Sequence, residues 1–361
     1  RDRGPAAVRL PRGAAGSVGL RAGPPARRGA TIAAVREAAE DRASARLIAW
    51  IAAAGGRVGP LRIARSRGGL GVFAAAELDE GELLLELPGA CLLTTDRAAE
   101  TAAGRTIAGE WRGPSHDQIL LAALLVARDQ RWAAYRDSLP TRLPGLPLYY
   151  APDAAEALCA TSLAARMAER HAQIGEEVAW LRDNAAGMAG LGEVEWFFAR
   201  AQVGSRCFYL GELHGEAMVP LADLLNHAAQ PDTRWQLDAR GSFVLRAVRP
   251  LVAGAELHHS YGEISNARLL LNYGFTLADN AVRVCLLELA DCGELTLAEV
   301  DAEALQVVRA RVGEDADARL RAACGERLAR LPDVDAGVAG DVRRVVEDER
   351  RVLLAWLAAL G

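Results

Sequence analysis

An acid, an amide and an imidazole lie close together in the segment ADLLNHAAQ. Asp223 precedes Asn226 by three residues and His227 by four. An acid and a histidine four residues apart can share one face of a helix, but nothing nearby completes a metal site. A hydrolase would need a nucleophile on a sharp turn, and the chain has no GxSxG motif. The third interpretation is that these polar groups are held in a crowded backbone site.

A second polar segment, ELHHSYGEISNARLLLNYGF at 256–275, places aromatic residues next to glycines. Tyr261 is followed by a glycine, and Tyr273 by Gly274 and Phe275. A ring with a hydroxyl at its tip suits a narrow channel that is apolar along its walls and polar at one point. A tyrosine at the end of a strand is also a common core residue, so the pattern alone leaves both interpretations open.

The elements that must position these residues alternate between β-rich and helical portions. Apolar alternation between glycine turns predicts strands, and spacing of 3.6 residues predicts helices. The predicted strands lie within 61–88, where two or three are expected, and at 217–221, 233–238, 242–249, 255–258 and 282–289. The predicted helices lie at 36–54, within 97–200, at 264–273 and throughout the tail from about 294. This order predicts an α+β fold with helices inserted between two β-rich portions.

The composition sets limits on the class of protein. The chain has 361 residues, of which 51% are hydrophobic and 25% charged, so a sizeable core is expected. The net charge of −5 argues against a nucleic-acid partner, and no apolar run has the length of a membrane span. All 42 basic residues are arginine. The chain therefore cannot itself be modified on a lysine.

The first 35 residues differ from the rest, with seven arginines against one acid. This bias resembles an organelle transit peptide, which would place the protein in a chloroplast, and a disordered basic leader is the alternative. Without a transit peptide we expect a cytoplasmic or nuclear protein. The six cysteines form no CxxC pair, which indicates reduced thiols and no zinc site.

Four separated blocks resemble, in order, those of SET-domain protein methyltransferases. They are RGGLGVFAAAELDEGELLLELP (68–88), GSRCF (204–208), PLADLLNH (220–227) and SYGEISNARLLLNYGF (260–275). The helical insertion and tail are similar to the branch typified by the Rubisco large-subunit lysine methyltransferases, and RWAAYRDSLP within the insertion also matches that branch. The resemblance extends over roughly residues 45–290.

The resemblance implies a β-rich SET fold in which the Asn-His segment and the tyrosine segment form a knot-like crossing. S-adenosylmethionine would bind on one side of the crossing and the protein substrate on the other. It further implies three regions: the leader at 1–35, a SET domain at 45–290 with its insertion at about 97–200, and an all-α substrate-binding lobe at 291–361.

The same resemblance assigns the site residues. Tyr261 and Tyr273 would be catalytic, with Tyr261 as the orienting hydroxyl, and no metal is expected. The implied cofactor contacts are Gly69, Leu70, Gly71, Arg206, Asn226, His227, Tyr261 and Phe275. Methyl transfer from a sulfonium to an amine needs alignment and an uncharged lysine, but no covalent intermediate.

The expected function is therefore methylation of a lysine on a folded, non-histone protein by a monomeric enzyme. Two alternatives remain open. The first is a protein-histidine methyltransferase, although the resembling subgroup lacks a tyrosine at the position of Tyr273. The second is a catalytically silent SET-like module that only binds other proteins.

Overall fold

The computed structural model describes residues 32–361 except 67, 68, 144, 148–151, 213, 214, 290 and 335–338. The chain divides into two compact units, residues 1–39 and residues 40–361. Residues 1–31 of the expected leader lie outside the described residues, so its interpretation as a transit peptide stays a prediction. None of the described helices combines the length and the apolar character needed to cross a bilayer.

Helices form the middle and the end of the chain. The first is α1 (Ile32–Ala53), and a group of seven follows before the central strands. These are α2 (Thr95–Ala99), α3 (Ala102–Glu110), α4 (His116–Val126), α5 (Ala133–Arg136), α6 (Pro152–Cys159), α7 (Leu163–Asn184) and α8 (Glu193–Arg206). The later helices are α9 (Asn266–Tyr273), α10 (Ala302–Val312), α11 (Ala316–Arg330) and α12 (Gly340–Leu360).

The strands are short, and along the chain they come before and after the group of seven helices. Before it come β1 (Arg57–Val58), β2 (Leu61–Ser66), β3 (Gly69–Ala74), β4 (Leu83–Leu87) and β5 (Leu93–Thr94). After it come β6 (Cys207–Tyr209), β7 (Glu216–Met218), β8 (Asn226–His227), β9 (Thr233–Leu237), β10 (Phe243–Ala247), β11 (Glu256–His259), β12 (Cys285–Leu289) and β13 (Gly293–Leu297).

The strands of the described residues form four sheets, and one of these sheets brings the two polar segments together. The strand orders are β1-β4-β10-β9, β2-β3-β11-β8, β5-β7-β6 and β12-β13. In the second sheet, β8 lies parallel to β11, with Asn226 opposite His258 and His227 opposite His259. Strand β3 lies antiparallel to β11 on its other side. The knot-like crossing itself stays a prediction.

Apolar residues explain why these elements pack as they do. Helix α4 is apolar on every side from Ile119 to Leu125, as expected for a helix buried in a core. It belongs to one large cluster that runs from Leu47 to Leu257. A second cluster contains only residues from Cys285 to Leu360. The domain boundaries inferred from the sequence stay a prediction, because the division into these clusters does not test them.

The predicted α+β class is confirmed, and one element of the tail was predicted wrongly. The tail was expected to be helical throughout from about 294, which made the lobe at 291–361 all-α. Instead, Gly293–Leu297 forms β13, a hairpin partner of β12. Gly293 has φ +67, which permits the turn, and Leu295 and Leu297 alternate with exposed polar residues, as a half-buried strand requires.

Candidate active site

The backbone enters the site through a strained turn. Leu221 has φ 72 and ψ −43, a backbone conformation that L-residues rarely adopt. Its side chain is fully buried. The residues Ala222–Leu224 then form one 3₁₀ turn before β8 begins. Strain of this kind persists only where packing fixes the chain, and it concentrates at functional sites. After this turn, the side chain of Asp223 contacts Tyr135, whereas the side chain of Asn226 contacts Glu256.

Tyr261 is the centre of a group of aromatic rings that follows β11. Its ring centroid lies 4.6 Å from that of Tyr273, 5.1 Å from His227 and 6.3 Å from Phe275. The Tyr261 hydroxyl donates to the carbonyl oxygen of Leu225 at 2.8 Å. The structure thus brings together four residues that are separated by up to 48 positions in sequence (227 to 275).

His227 acts as a hydrogen-bond acceptor in this arrangement. The backbone N–H of Tyr261 donates to His227 Nδ1 at 3.0 Å, which requires that nitrogen to be unprotonated. Burial lowers the pKa of His227, and the charge of His258 acts in the same direction against an opposing hydrogen bond at His259. His227 is therefore neutral at pH 7, and it fixes the position of Tyr261.

The tyrosine hydroxyls are uncharged hydrogen-bonding groups and not bases. Burial raises the pKa of Tyr261 far above its ordinary value, despite the opposing charge of Arg206. Burial also raises the pKa of Tyr273. Both hydroxyls keep their protons at neutral pH. What they can do chemically is orient a reacting group by hydrogen bonding.

Asn226 joins three strands on the other side of β8. Its Nδ2 donates to Glu256 Oε1 at 2.7 Å and to the carbonyl oxygen of Leu70 at 3.3 Å. Ser66 Oγ donates to the other carboxylate oxygen of Glu256 at 2.9 Å. A Cβ at Gly71 would come within 2.5 Å of Glu256 Oε1 and 3.1 Å of Asn226 Nδ2, so a larger residue there would displace the Glu256 carboxylate from its bond to Asn226.

Arg206 ends α8 and faces Asp223. Its Nη1 donates to the carbonyl oxygen of Asp223 at 2.7 Å, and its Nε donates to Gln202 Oε1 at 3.0 Å. The distance from Nη1 to the Asp223 carboxylate is 3.9 Å. Within the described part of the chain, Nη2 of Arg206 has no hydrogen-bond partner. That nitrogen remains available to an anionic group.

Asp223 is a buried carboxylate with an unusual balance of partners. Tyr135 Oη donates to Asp223 Oδ2 at 2.5 Å, whereas Oδ1 is buried without a partner among the described residues. Burial raises the pKa of Asp223 to about 6, against the opposing effects of Arg206 and of the Tyr135 hydrogen bond. The sequence left Asp223 unexplained, and its hydrogen bond to Tyr135 anchors the strained turn to the helical insertion.

A cavity of about 280 Å³ lies where these groups meet. It is lined by residues that include Arg206, Asp223, Leu225, Tyr261 and Tyr273. Four other candidate residues lie next to this cavity without lining it: Leu70, Asn226, His227 and Phe275. Gly69 begins β3 opposite Ser66, with φ +128. The roles assigned to all of these residues stay predictions, but their proximity is a property of the fold.

The adjacent histidines 258 and 259 have different partners. His258 Nδ1 lies 2.9 Å from Asp232 Oδ2, and Arg249 pairs with the other carboxylate oxygen of Asp232. His259 stacks on Phe208 with ring centroids 5.4 Å apart. Across the described residues, no group of three His, Cys, Asp or Glu side chains is arranged to hold a metal ion.

Sequence reasoning missed Glu256 and Tyr135 as parts of the site. Glu256 is the one acid in the otherwise apolar and histidine-containing strand β11, and that was the available signal. Tyr135 lies within RWAAYRDSLP, a block that was noted without assigning a role to its tyrosine. Tyr135 contacts a residue 88 positions away, and Glu256 contacts a residue of a separate strand. A local sequence pattern does not reveal contacts of either kind.

The chain can be assigned to a protein family. The SET domain model matches residues 69–262, more than half of the chain, and the chain belongs to the SET domain family. This range includes Gly71, Arg206, Asn226 and Tyr261.

Similar proteins are known from both sequence and structure. Human SET domain-containing protein 4 is 28% identical over 236 residues, which are 59% of this chain and 53% of that protein. The chloroplastic Rubisco large-subunit N-methyltransferase of Nicotiana tabacum is 27% identical over 231 residues, 57% of this chain and 45% of that protein. The chain thus spans about half the length of these curated relatives.

The solved structures of Rubisco LSMT share the fold. The SET domain of LSMT bound to lysine and AdoHcy has a TM-score of 0.73 at 18% identity, with 88% of this chain and 91% of that chain covered. The structure of Rubisco LSMT bound to AdoMet gives the same TM-score and coverage. The predicted resemblance to this branch is confirmed at the level of the fold.

Proposed function

We propose that this protein transfers a methyl group from S-adenosylmethionine to a lysine side chain of a protein substrate. The observation that carries the proposal is the pair of protonated tyrosines, Tyr261 and Tyr273. Their ring centroids lie 4.6 Å apart, and both residues line a cavity that Arg206 also lines. The relatives named as N-methyltransferases support the reaction class. A structural neighbour bound to lysine and AdoHcy supports this choice of substrate and cofactor.

The residues present fit the cofactor in charge and in space. Arg206 has a free Nη2 for a carboxylate, with which a guanidinium pairs well. The lack of a Cβ at Gly71 lets Asn226 lie close to β3, where it bonds to the carbonyl oxygen of Leu70. Aromatic rings such as those of Phe275 and Tyr261 favour a neighbouring positive charge. When bound, S-adenosylmethionine supplies a methyl group on a positively charged sulfur, which is already an activated leaving group.

The chain's own groups prepare the amine. A lysine side chain that enters the cavity leaves water, and this desolvation lowers its pKa so that the uncharged amine is available. Tyr261 is held by its bond to Leu225 and by His227, so its position does not have to be fixed during the reaction. The tyrosine pair then aligns the nitrogen, which is an effect of orientation and not of acid-base catalysis.

Calorimetric titration with S-adenosylmethionine tests the cofactor part of the proposal. We expect saturable binding by the intact protein and at least about tenfold weaker binding by Asn226→Ala, because the variant loses the group that joins β8 to Leu70 and Glu256. Asn184→Ala is the matched control, since Asn184 is exposed and bonds only to the carbonyl oxygen of Trp180 in its own helix. Absence of binding by the intact protein would overturn the proposal.

A further inference from the structure

A second cavity, of about 270 Å³, lies beside the first between α4, α7, α8 and α9. Among the described residues, its lining contains three arginines, Arg170, Arg200 and Arg268, and no acidic side chain. The other lining groups that can hydrogen-bond are neutral or histidine. The cavity is therefore a basic chamber, and we call it the arginine cavity.

The arginine cavity and the tyrosine cavity share two elements. Helix α8 contributes Gly204 to the arginine cavity, and the next two residues, Ser205 and Arg206, to the tyrosine cavity. Helix α9 contributes Asn272 to the first and Tyr273 to the second. Successive helical residues project about 100° apart, so the two cavities open on neighbouring faces of the same helices.

Two of the three arginines have no acidic partner among the described residues. Arg200 pairs with the buried Glu177 at 2.9 Å. Arg170 donates only to neutral acceptors, the carbonyl oxygen of Leu271 at 3.2 Å and Asn272 Oδ1 at 2.9 Å. The exposed Arg268 makes no side-chain hydrogen bond or ion pair within the described part of the chain.

This arrangement places positive charge around one cavity, where Arg170 is partly shielded from water and Arg268 is exposed. Burial, followed by the nearby charge of Arg200, lowers the pKa of Arg170. Glu169 and Glu177 oppose this effect in part, and they are ion-paired with Arg166 and Arg200, respectively. An incoming carboxylate would add to this partial compensation of the guanidinium charges.

We propose that the arginine cavity binds the carboxylate of a glutamate or aspartate in the protein substrate, close in sequence to the methylated lysine. A guanidinium fork matches a carboxylate with two parallel hydrogen bonds. Because the two cavities lie on neighbouring faces of the same helices, a helix diameter of roughly 10 Å sets the scale of their spacing, and an extended peptide covers that length in about three residues. The expected motif is therefore a lysine with an acid about three positions away. This inference deepens the proposed function and rests on it.

Peptide binding tests this inference separately from catalysis. Fluorescent peptides with one central lysine and one glutamate, moved through successive positions on either side, are titrated into the intact protein in the presence of S-adenosylmethionine. We expect about tenfold tighter binding when the glutamate stands about three positions away than when glutamine replaces it. Arg268→Glu should abolish this gain and favour a peptide with arginine in place of glutamate, and Arg170→Gln should reduce it.

Arg128→Gln is the control, because Arg128 is exposed, pairs with Glu195 and does not line the cavity. Arg268 is exposed, so its substitution is not expected to prevent folding. Equal affinity for glutamate and glutamine peptides, or a glutamate preference that both cavity variants retain, would overturn the inference. Methyl transfer to the same peptides is measured in parallel. Acid-dependent binding without transfer would support the arginine cavity and count against the proposed function alone.

Discussion

At the scale of single residues, the site works by holding groups in place. Tyr261 is fixed at both ends, by its hydroxyl on Leu225 and by its backbone N–H on His227. Because burial raises the tyrosine pKa, the hydroxyl cannot serve as a base near pH 7. Its contribution must come from the position and direction of one O–H group.

Replacement of Tyr261 by Phe removes that group while keeping the ring. We expect kcat for methyl transfer to fall by about 10²-fold, because a misaligned amine loses most of the benefit of orientation. Cofactor affinity should change little, since the ring contacts to His227 and Phe275 remain. Steady-state kinetics and calorimetry measure the two effects. Tyr209→Phe, at an exposed tyrosine that also lines the cavity, should lower kcat far less than Tyr261→Phe does.

The sequence was sufficient to name candidate site residues but not their contact partners. Asn226, His227, Tyr261 and Tyr273 were recognised from short blocks, and the fold brings them together. Glu256 and Tyr135 were missed because their roles depend on contacts with Asn226 and Asp223 across distant parts of the chain. An acid in a strand, taken alone, is usually a solvated side chain.

At the scale of elements, α9 is the support of the second tyrosine. Ser265 precedes the helix and Gly274 ends it in the left-handed conformation, with φ 79. Both signals are visible in the sequence, and the helix was predicted at 264–273. What the sequence could not show is that the backbone at Gly145 packs directly against Gly274, since this contact joins residues 129 positions apart (274 − 145).

Gly274→Ala tests this support. A Cβ at Gly274 would lie 2.6 Å from the carbonyl carbon of Gly145 and 2.8 Å from the backbone nitrogen of Leu146. We expect a loss of about 2–4 kcal/mol in the free energy of unfolding from the combined cost of the left-handed conformation and the clash. Chemical denaturation measures it. Gly187→Ala, at the same φ of 79 but with no atom within 4 Å, isolates the conformational part and should lose only about 1–2 kcal/mol.

At the scale of the whole molecule, two adjacent acids of α12 tie the C-terminal helix to distant elements. Asp348 accepts a hydrogen bond from Asn266, the first residue of the tyrosine-bearing helix α9, at 2.8 Å. Glu349 accepts from the backbone N–H of Ser162 at 2.7 Å and is almost fully buried. The sequence predicted only that this part of the tail is helical, so these long-range bonds could not be foreseen.

The buried Glu349 predicts how stability depends on pH. Burial raises its pKa to about 7 from an ordinary value of 4.5, against opposing hydrogen bonds from Ser162 and the charge of Arg327. Between these values the folded state binds more protons than the unfolded state, so the free energy of unfolding falls as pH rises from 4.5 to 7. The contribution of this group amounts to about 3 kcal/mol at most.

Glu349→Gln removes that contribution because the amide does not titrate. We expect the variant to lose less stability than the intact protein when the pH is raised from 4.5 to 7, as measured by urea denaturation at several pH values. Glu326→Gln, which removes an exposed carboxylate from α11, controls for the change in net charge. Identical pH profiles for Glu349→Gln and the intact protein would contradict the assignment.

The central claim is methylation of protein lysine at the Tyr261 site, and the absence of lysine from this chain makes it directly measurable. The protein is incubated with a cell lysate and S-adenosylmethionine that carries a heavy methyl group, and mass spectrometry locates the label. Because the enzyme has no lysine, it cannot contribute labelled lysine of its own. The account predicts label on the side-chain nitrogen of a lysine in a folded protein, and its loss with Tyr261→Phe. Label on histidine, or lysine label that Tyr261→Phe leaves undiminished, would contradict it.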